Sequence, residues 1–102
     1  MLELRPTCEN CNVALPPHST KAMICSFECT FCRSCVETIL KNVCPNCGGG
    51  FCQRPARPSK NHHDDNYTGK YPASQTVRHR PVDVAVHRQF SLSLINIPPE
   101  LR

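Results

Sequence analysis

The sequence has little material for a hydrophobic core. It contains no tryptophan, four phenylalanines and two tyrosines among 102 residues. No apolar run approaches the roughly 20 residues of a membrane-spanning helix, which excludes a membrane span. A segment of about 50 residues usually needs a metal ion or disulfides to fold. The fold therefore needs a source of stability other than buried apolar surface.

Cysteine is what the sequence has in excess, with nine residues, eight of them within residues 8–47. They form four closely spaced pairs: Cys8 and Cys11, Cys25 and Cys29, Cys32 and Cys35, Cys44 and Cys47. Tetrahedral zinc takes two such pairs, so four pairs predict two Zn²⁺ ions per chain. Since all eight thiolates would be used, no position is left open for a catalytic water. We therefore predict no catalytic residue and a protein that is not an enzyme.

The alternative to zinc is a disulfide framework, which requires an oxidising compartment. Residues 1–8 lack the basic and apolar segments of a secretory signal, so we expect a reducing, cytoplasmic location. Full disulfide pairing would also leave one of the nine cysteines over. Zinc is the preferred interpretation, and it supplies on the order of 10 kcal/mol per structural site. The chain is expected to fold with zinc and to unfold without it.

Composition divides the chain into three parts. Residues 1–52 contain every cysteine and form the predicted zinc domain, with a short strand over 21–25 and a helix over 36–41. Residues 53–81 are a basic, proline-containing linker for which we expect largely irregular structure. Residues 82–102 form a tail in which apolar positions alternate. This pattern favours two short strands, and a disordered tail is the alternative.

Two pairings of the cysteines are open. In a sequential arrangement, the first four cysteines bind one ion and the last four bind the other. A cross-brace instead uses alternate pairs: Cys8, Cys11, Cys32 and Cys35 at site 1, and Cys25, Cys29, Cys44 and Cys47 at site 2. Only Thr30 and Phe31 separate the second pair from the third. This short spacing favours the cross-brace.

The cysteine pattern resembles that of a RING finger over residues 8–48. All eight ligand positions match, with Cys29 where most members carry histidine, and Phe31 and Pro45 match as well. The resemblance implies a small metal-stabilised α+β fold, a RING-like or treble-clef cross-brace with two zinc ions. It also implies little regular secondary structure, and we expect an extended C-terminal tail.

A second resemblance covers residues 1–83. This part is similar to a small bacterial family of cysteine-rich proteins of unknown function, and the similarity includes Gly48–Gly50 and Lys70–Ser74. It implies a fold and no activity.

RING domains commonly recruit a ubiquitin-conjugating enzyme (E2) to a shallow groove. The resemblance implies Ile39 and Pro45 as groove residues, whereas Asn10 and Gly48 depart from the family pattern. A bacterial host would also lack ubiquitin, and fold does not carry function. We therefore expect a non-enzymatic adaptor that binds a protein partner, with an E2-recruiting ubiquitin ligase as the alternative. The candidate contact residues are Ile39, Pro45, Phe90, Leu92 and Leu94.

Two further alternatives depend on other residues. Residues 53–102 carry the whole net charge of +4, so Arg54, Arg57, Arg78 and Arg80 could contact the phosphates of a nucleic acid. The protein could instead be a zinc-thiol redox sensor that releases zinc when it is oxidised. Cys52, the ninth cysteine, could be a redox-reactive thiol, although a small buried or incidental residue is the simpler interpretation. The pattern predicts no particular partner, pathway or oligomeric state.

Overall fold

The computed structural model describes all 102 residues and has little regular secondary structure. Its elements are, in chain order, β1 (Ala22–Ile24), β2 (Thr30–Cys32), α1 (Arg33–Cys35) with a π-helical turn (Val36–Leu40), β3 (Cys52–Gln53), α2 (Val84–Ser91) and a 3₁₀ turn (Pro99–Leu101). The molecule is a small α+β protein, as predicted. None of its helices has the length and apolar character needed to cross a bilayer.

A small antiparallel sheet organises residues 1–52, the part of the chain predicted to bind zinc, and we keep the name zinc domain for it after that prediction. The strand order is β2-β1-β3, with Met23 opposite Phe31 on one side and opposite Gln53 on the other. The turn between β1 and β2 contains Glu28 in a left-handed conformation, with φ of 65°. The predicted strand before Cys25 is thereby confirmed as β1.

The predicted helix at 36–41 exists but begins earlier, at Arg33. The Cys32 sulfur caps it by accepting a hydrogen bond from the Cys35 amide at 3.4 Å. Val36 and Leu40 point into the core from the π-helical turn. The helix ends where Lys41 and Asn42 take positive φ values of 50° and 61°.

Cysteines make up half of the core. Of the twelve residues in the buried cluster, six are cysteines and six are other apolar residues. Within it, Phe31 and Phe51 make an edge-to-face aromatic contact with ring centroids 5.6 Å apart. A core with so few large side chains gives little hydrophobic stabilisation, as the composition predicts.

Apart from Gln53, which belongs to β3, residues 53–81 contain no helix or strand, and they pack against the zinc domain. Arg54 is only 1% exposed. Its guanidinium donates hydrogen bonds to the carbonyl oxygens of Arg5, Leu15 and Pro16. The Arg57 guanidinium likewise donates to the carbonyls of Leu2 and Tyr71. These two arginines attach the segment to the N-terminal loop.

The prediction of two strands in residues 82–102 is wrong, because residues 84–91 form the helix α2. The Asp83 carboxylate caps this helix by accepting a hydrogen bond from the Val86 amide at 3.1 Å. The buried residues of the helix are His87 and Ser91, one turn apart. The expectation of an extended tail is also wrong, because α2 and the residues after it pack back onto the zinc domain.

Candidate metal centre

The first cysteine cluster gathers four thiols. The sulfurs of Cys8, Cys11, Cys32 and Cys35 all lie within 4.8 Å of one another, and those of Cys11 and Cys32 are 3.8 Å apart. A tetrahedral zinc ion with Zn–S distances of about 2.3 Å places its sulfurs about 3.8 Å apart. A disulfide would need about 2.05 Å, and all nine cysteines are free. The spacing of this cluster therefore fits a tetrahedral ion.

The second cluster gathers three thiols, those of Cys25, Cys44 and Cys47, within 4.8 Å of one another. The fourth predicted ligand, Cys29, lies outside this mutual distance. It is nevertheless buried beside the cluster, and its sulfur accepts a hydrogen bond of 3.3 Å from the Asn46 side chain. The structure thus brings three of the four residues of predicted site 2 together and places the fourth next to them.

The two clusters draw on alternate pairs of cysteines. The first pair joins the third, and the second pair meets the fourth, so the sequential arrangement is not the one adopted. Cys29 precedes β2 and Cys32 ends it, so this short strand leaves the second pair beside one cluster and the third pair in the other.

The first and last pairs have the same backbone conformation. The Asn12 amide donates to the Cys8 carbonyl at 2.9 Å, and the Gly48 amide donates to the Cys44 carbonyl at 2.8 Å. Asn12 and Gly48 both lie in the left-handed region, with φ of 64° and 77°. Glycine and asparagine tolerate this region better than other residues. We call these two loops, residues 8–12 and 44–48, the first and last knuckles.

Hydrogen-bond donors surround the sulfurs. Backbone amides donate to four of them at 3.3–3.5 Å: Cys11 to Cys8, Cys35 to Cys32, Phe27 to Cys25, and Gly49 to Cys47. Two side-chain amides, those of Asn10 and Asn46, donate at 3.3 Å to Cys35 and Cys29. Asn10 precedes Cys11 but donates to a cysteine of the third pair. Asn46 precedes Cys47 but donates to a cysteine of the second pair. Donors directed at sulfur favour the thiolate form that binds metal.

Burial opposes ionisation of the same thiols. Desolvation raises the pKa of Cys35 and Cys44 well above the ordinary value, and it also raises the pKa of Cys29 and Cys32. Like-charge repulsion from neighbouring thiolates adds to the effect at Cys35 and Cys44. A divalent cation would supply the missing positive charge and displace the protons. The donor set and its electrostatics therefore fit a thiophilic divalent ion.

The predicted contact residues lie around α2. Pro45 and Phe90 line a cleft of about 370 Å³ on one flank of the helix. Ile39 and Leu92 line a second cleft, of about 240 Å³, on the other flank. Leu94 is half-buried against the last knuckle. Phe90 and Leu92 remain 43% and 62% exposed, so both clefts are open to solvent.

Sequence reasoning missed His87, which attaches α2 to the zinc domain. The ring is 4% exposed, and Nε2 donates to the Val43 carbonyl at 2.8 Å. Asp83, a good N-cap residue after Pro81, was the signal that could have indicated a helix here. The absence of glycine and asparagine between residues 82 and 94 also argued against a hairpin turn.

Three of the four arginines predicted to contact phosphates have partners within the chain. Arg54 and Arg57 donate to backbone carbonyls, and Arg78 pairs with the Glu3 carboxylate at 3.3 Å. Arg80 is exposed. Cys52 lies exposed on the edge strand β3, outside both clusters.

Comparison with known proteins places the sequence in context. Residues 1–57 match the model of a family described as "Protein of unknown function (DUF1272)". The chain is 50% identical over 88 residues to an uncharacterized protein of Rhizobium meliloti (strain 1021), which covers 86% of this chain and 98% of that protein. No solved structure matches the chain. The family model spans all nine cysteines, and the match to the relative extends beyond them into the C-terminal half.

Proposed function

The chain belongs to the DUF1272 family, a small cysteine-rich family of unknown function, and we propose that it is a structural zinc-binding protein with one zinc ion at each cluster. The observation that carries this proposal is the convergence of alternate cysteine pairs at the separations of a tetrahedral thiolate site. Cys8, Cys11, Cys32 and Cys35 would hold one ion. Cys25, Cys29, Cys44 and Cys47 would hold the other, with Cys29 moving in to complete the set.

The role of the ions is to cross-link the chain. Bound zinc supplies the positive charge that keeps buried thiolates ionised. The first ion would join the first knuckle to β2 and α1, and the second would join the β1–β2 turn to the last knuckle. Because cysteine forms half of the core, these bonds would supply much of the stability that the few apolar side chains do not.

Native mass spectrometry of protein purified without added metal tests the zinc assignment. We expect two zinc ions per chain, and the loss of one or both in Cys11→Ser and Cys47→Ser, whose cysteines lie in different clusters. Cys52→Ser is the matched control, since Cys52 lies in neither cluster, and it should keep both ions. Equal zinc content in all three variants would contradict the assignment.

We further propose that the protein is a non-enzymatic adaptor that binds a protein partner along α2. The support is the apolar surface left on both flanks of this helix, where Val86 is 65% exposed, Leu92 62% and Phe90 43%. Side chains of this kind in open clefts favour a protein interface. The partner would insert apolar side chains into the clefts beside Pro45 and Ile39.

Affinity capture from the native host with zinc-loaded protein tests this role. A partner should co-purify in fixed stoichiometry, and Phe90→Asp or Leu92→Asp should release it while leaving two zinc ions bound. Gln89→Asp is the control because Gln89 is exposed and lines neither cleft. Capture that is insensitive to all three substitutions would refute the α2 interface.

The alternatives receive less support. The groove residues that the RING resemblance implies, Ile39 and Pro45, each share a cleft with α2, so the helix lies where a conjugating enzyme would dock. The internal hydrogen bonds of Arg54 and Arg57, with the ion pair of Arg78, engage three of the four arginines that were predicted to contact phosphates. We therefore propose neither a ligase nor a nucleic-acid-binding role.

A further inference from the structure

The C-terminal segment is bonded to the first knuckle. The Arg80 amide donates to the Glu9 carbonyl at 2.8 Å, and His79 Nε2 donates to the Asn10 carbonyl at 3.1 Å. The Val82 amide donates to the Asn10 side-chain oxygen at 2.8 Å. Residues 79–82 thus cross the loop that carries Cys8 and Cys11.

The same segment is bonded to the last knuckle and the residues beside it. His87 reaches the Val43 carbonyl at 2.8 Å. The Arg102 guanidinium donates to the carbonyls of Asn42 and Gly48, at 2.8 and 3.0 Å. The residues flanking Cys44 and Cys47 are therefore held from both sides by one segment.

Apolar packing adds to these bonds. Gly48 lies so close to the segment that a Cβ there would be 3.0 Å from Leu94 Cδ1 and 3.4 Å from Phe90 Cζ. A Cβ at Gly50 would be 2.6 Å from Pro99 Cγ. The chain leaves no room between the last knuckle and the segment.

Asn10 connects the segment directly to a metal-site sulfur. Its side-chain nitrogen donates to Cys35 Sγ at 3.3 Å, while its side-chain oxygen accepts from Val82. Asn46, in the equivalent position of the last knuckle, donates to Cys29 Sγ but accepts no hydrogen bond from the C-terminal segment. The side chains of the two asparagines therefore differ in the bond to Val82.

We propose that residues 79–102 form a clasp that slows zinc release from both clusters, and that Asn10 is the positioning residue that couples the clasp to the first cluster. This inference rests on the proposed zinc-binding function. Zinc can leave only if the sulfurs of two pairs separate, and the clasp holds one of those pairs in each cluster. Because coupling between two equilibria is reciprocal, bound zinc also stabilises the docked clasp.

The test uses the full-length, zinc-loaded chain and follows transfer of zinc to an excess of a chromogenic chelator under reducing conditions. Arg102→Ala removes the bond to Gly48 in the last knuckle and the bond to Asn42 beside it, without touching a cysteine. It should accelerate release of one zinc ion roughly three- to thirtyfold, because the hydrogen bonds of this half-buried side chain lie at the weak end of the usual range. Arg88→Ala is the control, because Arg88 is exposed and its side chain forms no hydrogen bond, and its release rate should match that of the unmodified protein.

Hydrogen exchange at the amides of residues 82–91 tests the role of Asn10. Asn10→Ala should lower the protection of these amides in the zinc-loaded protein, whereas Asn46→Ala should leave it unchanged. If Asn10 acted only through its hydrogen bond to the Cys35 sulfur, these amides would be equally protected in the two variants. That result would overturn the proposed coupling between the clasp and the first cluster.

Zinc content is measured first, so that the two proposals can fail separately. A chain without zinc overturns both the proposed function and the clasp. Two bound ions with equal release rates in Arg102→Ala and Arg88→Ala overturn the clasp alone. Arg102→Ala retains every cysteine and both asparagines, so the clasp can be tested even if Asn10→Ala does not fold.

Discussion

Replacing Arg54 by alanine should destabilise the protein more than any other single substitution of a charged residue. Its buried guanidinium donates three hydrogen bonds to backbone carbonyls of the N-terminal loop. Hydrogen bonds to a charged group contribute about 1.5–3 kcal/mol each, so the three sum to roughly 4–9 kcal/mol. Nε is buried without a partner, and burial, with repulsion from Arg57, lowers the pKa of Arg54. These costs offset part of the gain, and we expect a loss of about 3–5 kcal/mol in the free energy of unfolding.

Thermal unfolding followed by circular dichroism, with zinc in excess, measures this loss. For a chain of this size it corresponds to a fall in Tm of at least about 10 °C. Arg54→Lys should be intermediate, because an ammonium keeps the charge but cannot reproduce the planar fork. Arg88→Ala, at an exposed position, should leave Tm within about 2 °C. Equal Tm values for Arg54→Ala and Arg88→Ala would refute the reasoning.

The remaining predictions concern the knuckles and the thiols. Gly48→Ala should cost about 1–2 kcal/mol, because φ is 77° there, whereas Asn12→Gly should be neutral or stabilising by up to about 1 kcal/mol. Urea unfolding of the zinc-loaded protein measures both, and an unchanged midpoint for Gly48→Ala would count against the left-handed knuckle. Zinc affinity should rise steeply with pH, because the raised pKa of Cys35 and Cys44 keeps these thiols protonated at neutral pH and zinc must displace their protons. Competition titrations at several pH values between about 6 and 8, below the ordinary thiol pKa of about 8.5, test this trend, and an affinity independent of pH would contradict it.

The cysteine clusters could be anticipated from the sequence because a knuckle is a local structure. Two cysteines separated by two residues can close on one ion whatever the rest of the chain does, and the short spacing around β2 favoured alternate pairing without excluding the sequential one. The position of Cys29 could not be anticipated. Its loop has three intervening residues rather than two, with Glu28 in a left-handed conformation, and its sulfur lies outside the mutual distance of the other three.

The C-terminal half was harder to predict because its buried residues are polar. Val82, Val84 and Val86 alternate as in a strand, but α2 turns His87 and Ser91 inward and leaves its apolar residues at the flanks. The alternation of apolar residues therefore predicts a strand where the chain forms a helix. The role of Arg54 had no local signal at all, because its partners are carbonyls of a loop about 40–50 residues away in sequence.

The central claim is that zinc–thiolate bonds replace the hydrophobic core that this chain is too small to form. Amide NMR spectra of the reduced, metal-free chain, recorded while zinc is added, test it most directly. We expect a poorly dispersed spectrum without metal and a fully dispersed one that stops changing at two equivalents of zinc. A dispersed spectrum in the presence of a strong chelator, unchanged by added zinc, would contradict the claim.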